Sequence, residues 1–173
     1  MWLIMPDAYA LRAFTAGDLP MMADWLATPH LRQWWGDPAV ELAPVTEDLD
    51  DPLVEQQIGL LGPCAFVYLQ SYPCQVWGAP QSKDRPQGSH LVDIYAGPPD
   101  MLGQGHGAAI LRLYAQTQMA RGAKDVVIDP DLDDERAVRC YRRAGCRDVA
   151  IRRSKDCDPV LVINFHSAPA SFS

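Results

Sequence analysis

No stretch of this chain approaches the roughly 18 uninterrupted apolar residues that a membrane-spanning helix requires, so no such anchor and no membrane partner are expected. The opening Met1-Trp2-Leu3-Ile4-Met5-Pro6-Asp7 lacks a basic cluster ahead of an apolar core, which argues against a secretory leader and for a cytoplasmic protein. None of the five cysteines (64, 74, 140, 146, 157) forms a Cys-x-x-Cys pair or has a histidine at ligand spacing, so reduced thiols and no metal are expected. Internal repeats are missing, and 173 residues fit one domain over residues 1–173, with the small-residue tail 167–173 expected to fray.

Positive charge is scarce where it would serve a nucleic-acid backbone. Residues 1–100 carry 13 acidic and only 4 basic side chains, while residues 101–173 carry 9 and 11, within a net charge of −7. The amino half therefore suits a cationic partner and the carboxyl half an anionic one. A nucleic-acid partner is not expected.

What the chain does have is a concentrated stretch from Ser89 to Arg121. An apolar segment, Leu91-Val92-Asp93-Ile94-Tyr95-Ala96, is followed by the Gly97-Pro98-Pro99 break. Then come Gly103, Gly105 and Gly107 and an apolar-periodic run to Met119. A strand leading through a glycine-rich turn into a helix aims backbone amides at an anion, with the helix start adding partial positive charge. The turn has no Gly-Lys-Ser/Thr ending to hold nucleotide phosphates and magnesium, and it lies too late in the chain for a dinucleotide fingerprint. Gln-x-x-Gly-x-Ala, satisfied by Gln104, Gly107 and Ala109, remains.

Strands are predicted at Tyr9–Phe14, Leu53–Leu60, Cys64–Tyr72, Lys124–Asp129, Arg147–Arg152 and Val160–Phe165. Helices are predicted around Met21–Leu26, at Pro29–Trp35 and at Glu135–Ala144, the last capped by Asp133 or Asp134 and closed by Gly145. The acidic, proline-bearing Val40–Pro52 reads as loop or a ragged helix start. Pro73–Gly88 reads as a functional loop, because it is long and has no periodic pattern. Trp34, Trp35 and loop Trp77 can each be core or a flat wall beside a substrate. Tyr141 falls on the apolar face of its helix. His106 is expected to point to solvent or to pack on an adenine, since no serine or cysteine stands near it in triad order.

The block Ile128-Asp129-Pro130 through Arg136-Ala137-Val138-Arg139-Cys140-Tyr141-Arg142-Arg143-Ala144-Gly145-Cys146 resembles the last conserved block of the GNAT superfamily of acyl-CoA-dependent N-acyltransferases. More narrowly, with Asp24-Trp25-Leu26, Trp34-Trp35-Gly36, Gln70-Ser71-Tyr72 and Asp93 upstream, it is similar to aminoglycoside 6'-N-acetyltransferases across most of residues 9–165. Two departures are Asp134 at the family's Asn, expected to weaken a pantetheine contact or the helix cap, and Cys146 at its Phe, expected to thin the packing.

The resemblance implies an α/β (α+β) fold, a mixed, mostly antiparallel sheet splayed in its middle with helices on both faces. It implies acetyl-CoA as cosubstrate, with Ile94, Tyr95, Ala96, Gln104, Gly105, His106, Gly107, Ala108, Ala109, Asp134, Ala137 and Tyr141 as its contacts. Asp93 and Asp129 would hold and deprotonate the amine, Asp93 being preferred as base, and Tyr141 would return a proton to the departing thiolate. Trp34, Trp35, Asp37, Tyr72 and Trp77, with the two aspartates, would bind a cationic small-molecule amine. The subunit state would be monomer or homodimer. Acylation of a siderophore hydroxylamine, polyamine or peptide amine, and a non-catalytic acyl-CoA sensor, are the competing expectations.

Overall fold

The Gly62-Pro63 turn joins β2 (Glu55–Leu61) to β3 (Cys64–Pro73) as an antiparallel hairpin, with Gln56 opposite Gln70 and Ile58 opposite Tyr68. β1 (Tyr9–Ala13) pairs antiparallel with β2, from Tyr9↔Leu61 to Ala13↔Gln57. Together with β4 (His90–Ala96), β5 (Val126–Ile128), β6 (Arg147–Arg153) and β7 (Pro159–Phe165), these strands form a mixed seven-stranded sheet in the order β1-β2-β3-β4-β5-β7-β6. The order begins with β1 and ends with β6, so the sheet is open. β4 and β5 run parallel, and their register covers only His90↔Val126 and Leu91↔Val127. The computed structural model describes residues 8–76 and 79–165.

The chain divides into two compact units, Met1–Ser71 with Asp93–Ile110, and Tyr72–Val92 with Leu111–Ser173. In the first, α1 (Leu19–Leu26), α2 (Pro29–Trp35) and α3 (Pro38–Glu47) supply Met22, Trp25, Leu26, Leu31 and Val45 to a core completed by Phe14, Ile58, Tyr68 and Tyr95. The entry to α1 is pinned by Asp18, whose carboxylate accepts from the Thr15 amide at 2.9 Å and pairs with Arg12 at 2.7 Å.

Of the two expectations for Val40–Pro52, loop or a ragged helix start, the helix is found: α3 runs from Pro38 to Glu47. Asp37 caps the helix by accepting from Ala39 N at 2.8 Å, and Pro38 fills the first helical position, where no N–H is required. Burial of Val45 and packing of Leu42 hold the helix despite the internal Pro44, which gives up one backbone hydrogen bond.

In the second unit, β5 pairs antiparallel with β7 and β7 with β6. Cys74, Leu91, Val127 and Val162 form an apolar cluster there, with Tyr72, Ala79 and Val149 packed against it. α5 (Glu135–Ala144) closes on Gly145, whose φ of 109° is the left-handed conformation that favours glycine. The described part of the Pro73–Gly88 segment is fastened by Arg152, which makes two hydrogen bonds to Asp84 at 2.6 and 2.7 Å, and by Arg85 beside the buried Asp125 at 3.6 Å. α4 (His106–Ala120) begins in the first unit and continues into the second.

Candidate active site

The glycine-rich turn is shaped by two residues. Gly103 and Gly105 adopt φ of 74° and 87°, and a Cβ at either would meet nothing within 4 Å, so left-handed backbone and not crowding demands glycine there. α4 starts at His106 and Ala109 N donates to Gly105 O at 3.1 Å. The amides of the first helical turn, residues 106–108, thus have no partner within the helix. Gln104 is exposed, and its side-chain amide donates to Asp100 O. Left-handed glycines leading into a helix start whose first amides lack helical partners suit an anionic group.

Of the two expectations for His106, a solvent-facing side chain or one packed on an adenine, the first is overturned. His106 is buried, its Nδ1 lies 2.8 Å from the Tyr9 hydroxyl, and its ring stands edge-on to Phe66 at 6.0 Å. The side chain is a strut between the helix start and β1. Its partner lies 97 residues away, so no local pattern in the sequence marks it.

The C-terminal end of β4 is held from three sides. Ala96 O accepts from His30 Nε2 at 2.7 Å, Gly97 N donates to Phe66 O at 2.9 Å, and the Trp25 indole occupies the space where a Gly97 side chain would be. Tyr95 is buried between Tyr68, stacked at 5.4 Å, and Trp35, edge-on at 4.1 Å. Trp35 packs on this core and is half-buried, and its neighbour Trp34 is 40% exposed. Ile94 and Asp93 are half-buried on the same strand, and Asp93 accepts from Gln70 Nε2 at 3.2 Å. Asp37 spends one carboxylate oxygen on capping α3 and is exposed.

In the second unit, Asp129 follows β5 directly and accepts from Gln81 Nε2 at 2.6 Å. Burial raises its pKa above the ordinary carboxylate value, while the Gln81 bond and its own backbone amide pull the other way. Gln81 was not legible in the sequence, because it lies in a segment without periodicity. Tyr72 is half-buried against the apolar cluster. Trp77 lies outside the described residues.

α5 carries Val138, Tyr141 and Ala144 on its buried face. The expectation that Asp134 weakens the helix cap is corrected: its carboxylate accepts from Ala137 N at 3.0 Å and caps α5. At the other end, Arg112 donates to Ala144 O at 3.0 Å, satisfying a terminal carbonyl. Cys146 is buried, and burial pushes its thiol up to about 12 and that of Cys140 to about 11, so neither is a ready thiolate. Among the described residues no group of three or more His, Cys, Asp or Glu side chains is placed to hold a metal ion, and no helix is long and apolar enough to cross a membrane.

An open mixed sheet in which one strand runs through a glycine turn into a helix defines an α/β class that offers an anion its backbone amides. The chain belongs to the GNAT acetyltransferase family, matching the model of the acetyltransferase (GNAT) domain over residues 15–153. An aminoglycoside N(6')-acetyltransferase type 1 of Klebsiella pneumoniae is 28% identical over 152 residues, covering 80% of this chain and 74% of the relative. The structure of AAC(6')-Ib with ribostamycin and coenzyme A superposes with a TM-score of 0.81 at 26% identity, covering 93% of this chain and 94% of that one. A spermidine N-acetyltransferase of Vibrio cholerae shares the fold at 10% identity and a TM-score of 0.70, covering 92% and 95%.

Proposed function

We propose that this protein transfers the acetyl group of acetyl-CoA to the 6'-amino group of an aminoglycoside. The observation that carries the reading is Asp93, a half-buried carboxylate on β4, the strand that leads into the open glycine turn. An aminoglycoside amine is mostly protonated at neutral pH, so attack on a thioester requires a base. Asp93 takes that role, and its negative charge also attracts the ammonium before the proton is lost. Asp129 holds a cationic group of the acceptor, which offsets the cost of ionising a carboxylate that burial favours in its neutral form.

Bound acetyl-CoA supplies a thioester carbonyl as the electrophile. The backbone amides of Ile94 and Tyr95 polarise that carbonyl, and the turn amides from Gln104 to Ala109 hold the pyrophosphate. Asp134 and Ala137, at the start of α5, border the pantetheine. The ammonium nitrogen sheds two protons: one passes through Asp93 to solvent before attack, and the other, released as the C–N bond forms and the C–S bond breaks, replaces the proton that Tyr141 gives to the departing thiolate. Exposed Trp34 offers a flat wall to the sugar rings, and Asp37 and Tyr72 extend the acceptor surface.

The test is thiol release from acetyl-CoA on addition of kanamycin or tobramycin. Turnover with these and not with spermidine, a hydroxylamine or a peptide amine is expected. No turnover with any aminoglycoside would overturn the reading.

A further inference from the structure

Behind Asp93 lies a chain of side chains joined by hydrogen bonds. Gln56 Nε2 donates to Val45 O at 2.8 Å and to the Tyr68 hydroxyl oxygen at 2.8 Å. The Tyr68 hydroxyl donates to Gln70 Oε1 at 2.7 Å, and Gln70 Nε2 donates to Asp93 Oδ2 at 3.2 Å. Gln56 and Tyr68 are buried, and Gln70 is half-buried.

The direction of this chain is set by its members. Tyr68 receives Gln56's N–H on its oxygen and has a single hydrogen, which it gives to Gln70. That hydrogen selects one orientation of the Gln70 carboxamide. In the flipped orientation Gln70 Oε1 would face a carboxylate oxygen, while its NH2 would compete with Gln56 for the Tyr68 oxygen. One N–H of Gln56 goes to Val45 O and anchors the series; the other, the Tyr68 hydroxyl and the Gln70 amide each donate in the direction of Asp93, so the carboxylate receives a donor of fixed orientation. Burial raises the pKa of Tyr68, so its phenol keeps the proton on which the orientation depends.

We propose that Gln56, Tyr68 and Gln70 are positioning residues for acetyl transfer: they lock the Gln70 carboxamide as a donor to Asp93 and so hold that carboxylate in place to accept a proton. The inference rests on Asp93 being the base. It extends the acting group from one carboxylate to a relay that begins at Val45 O, on α3.

Three relay variants, Tyr68→Phe, Gln70→Leu and Gln70→Glu, with Asp93→Asn as reference and the double variant Tyr68→Phe/Asp93→Asn, test it, with kcat, the KM for acetyl-CoA and the melting temperature measured on each. The Gln70 variants are expected to lose roughly ten- to hundredfold in kcat, the range for removing one hydrogen bond to a charged group, and Tyr68→Phe about tenfold, all at unchanged KM for acetyl-CoA. Gln70→Glu can still accept from Tyr68 yet has no donor for Asp93, so it should be at least as impaired as Gln70→Leu. Tyr68→Phe should cost nothing further when Asp93 is already Asn, because the relay acts through that carboxylate. Full activity in Gln70→Glu, or equal losses from Tyr68→Phe with and without the Asp93 carboxylate, would overturn the relay. Undiminished kcat in Asp93→Asn alone would instead overturn the reading of Asp93 as base.

Discussion

Trp25 and Gly97 are in face-to-backbone contact: a Cβ on Gly97 would lie 2.0 Å from Trp25 Cδ2. Both residues are buried, and the Gly97 amide is committed to Phe66 O. Gly97 N thus ends β4 where α1 presses on it. Gly97→Ala forces the indole or the strand end to move. Overpacking of this kind costs about 1–3 kcal/mol, so a lower melting temperature is expected. Because the displaced strand end follows the Ile94–Tyr95 amides, the KM for acetyl-CoA should rise as well. A Gly97→Ala protein with parental stability and KM would show that the contact is dispensable.

Tyr9 and His106 tie the first helical residue after the glycine turn to an edge strand. Tyr9→Phe removes the hydroxyl and leaves the ring packing, and should lower stability by about 1 kcal/mol. A raised KM for acetyl-CoA with an unchanged kcat is the expected kinetic mark of a strut. A collapse of kcat in His106→Gln would instead mean that the imidazole takes part in proton transfer.

Asp129 has a folded pKa above its unfolded value, so the folded state binds the proton more tightly. Its contribution to stability is therefore most favourable at low pH and declines as pH rises through the window above the ordinary carboxylate value. Asp129→Asn removes that penalty while keeping an oxygen to accept from Gln81. The variant should melt above the parent at neutral pH and converge with it below about pH 3.5, where both carboxylate states are protonated. Acetyl transfer should fall at the same time. A variant that is less stable at neutral pH would contradict the buried-charge account.

Asp134 caps α5 through one hydrogen bond to Ala137 N. Asp134→Ala should cost about 1 kcal/mol, whereas Asp134→Asn should be nearly neutral, since both amide and carboxylate oxygens accept at this position. Thermal melts of the pair distinguish capping from a charge effect, which Asn would not preserve.

Much of the architecture could be read from local pattern. The Gly62-Pro63 hairpin, the strand leading to the glycine turn, the Asp134 cap and the Gly145 terminus all lie where short-range chemistry dictates. α3 was only half legible, as loop or a ragged helix start, because its acidic residues and Pro44 resemble loop while the value of the Asp37-Pro38 helix-start pair depends on Val45 finding a core. Of the proposed site, the positions of Asp93 and Asp129 beside apolar strand residues were legible, while the groups that hold them were not. Gln70 reaches Asp93 across 23 residues and Gln81 reaches Asp129 across 48, and a glutamine carries no periodic or charge signal that would single it out. The same holds for His30, whose bond to Ala96 O depends on how α2 packs at the end of β4.

The most direct test of acetyl transfer to a 6'-amine uses two aminoglycosides that differ only in an amino or a hydroxyl group at the 6' carbon. With acetyl-CoA and the purified protein, the amino compound should release thiol and gain one acetyl group that NMR assigns to the 6' nitrogen, while the hydroxyl compound should not turn over. Equal turnover of both, or an acetyl group found on another nitrogen, would contradict the account.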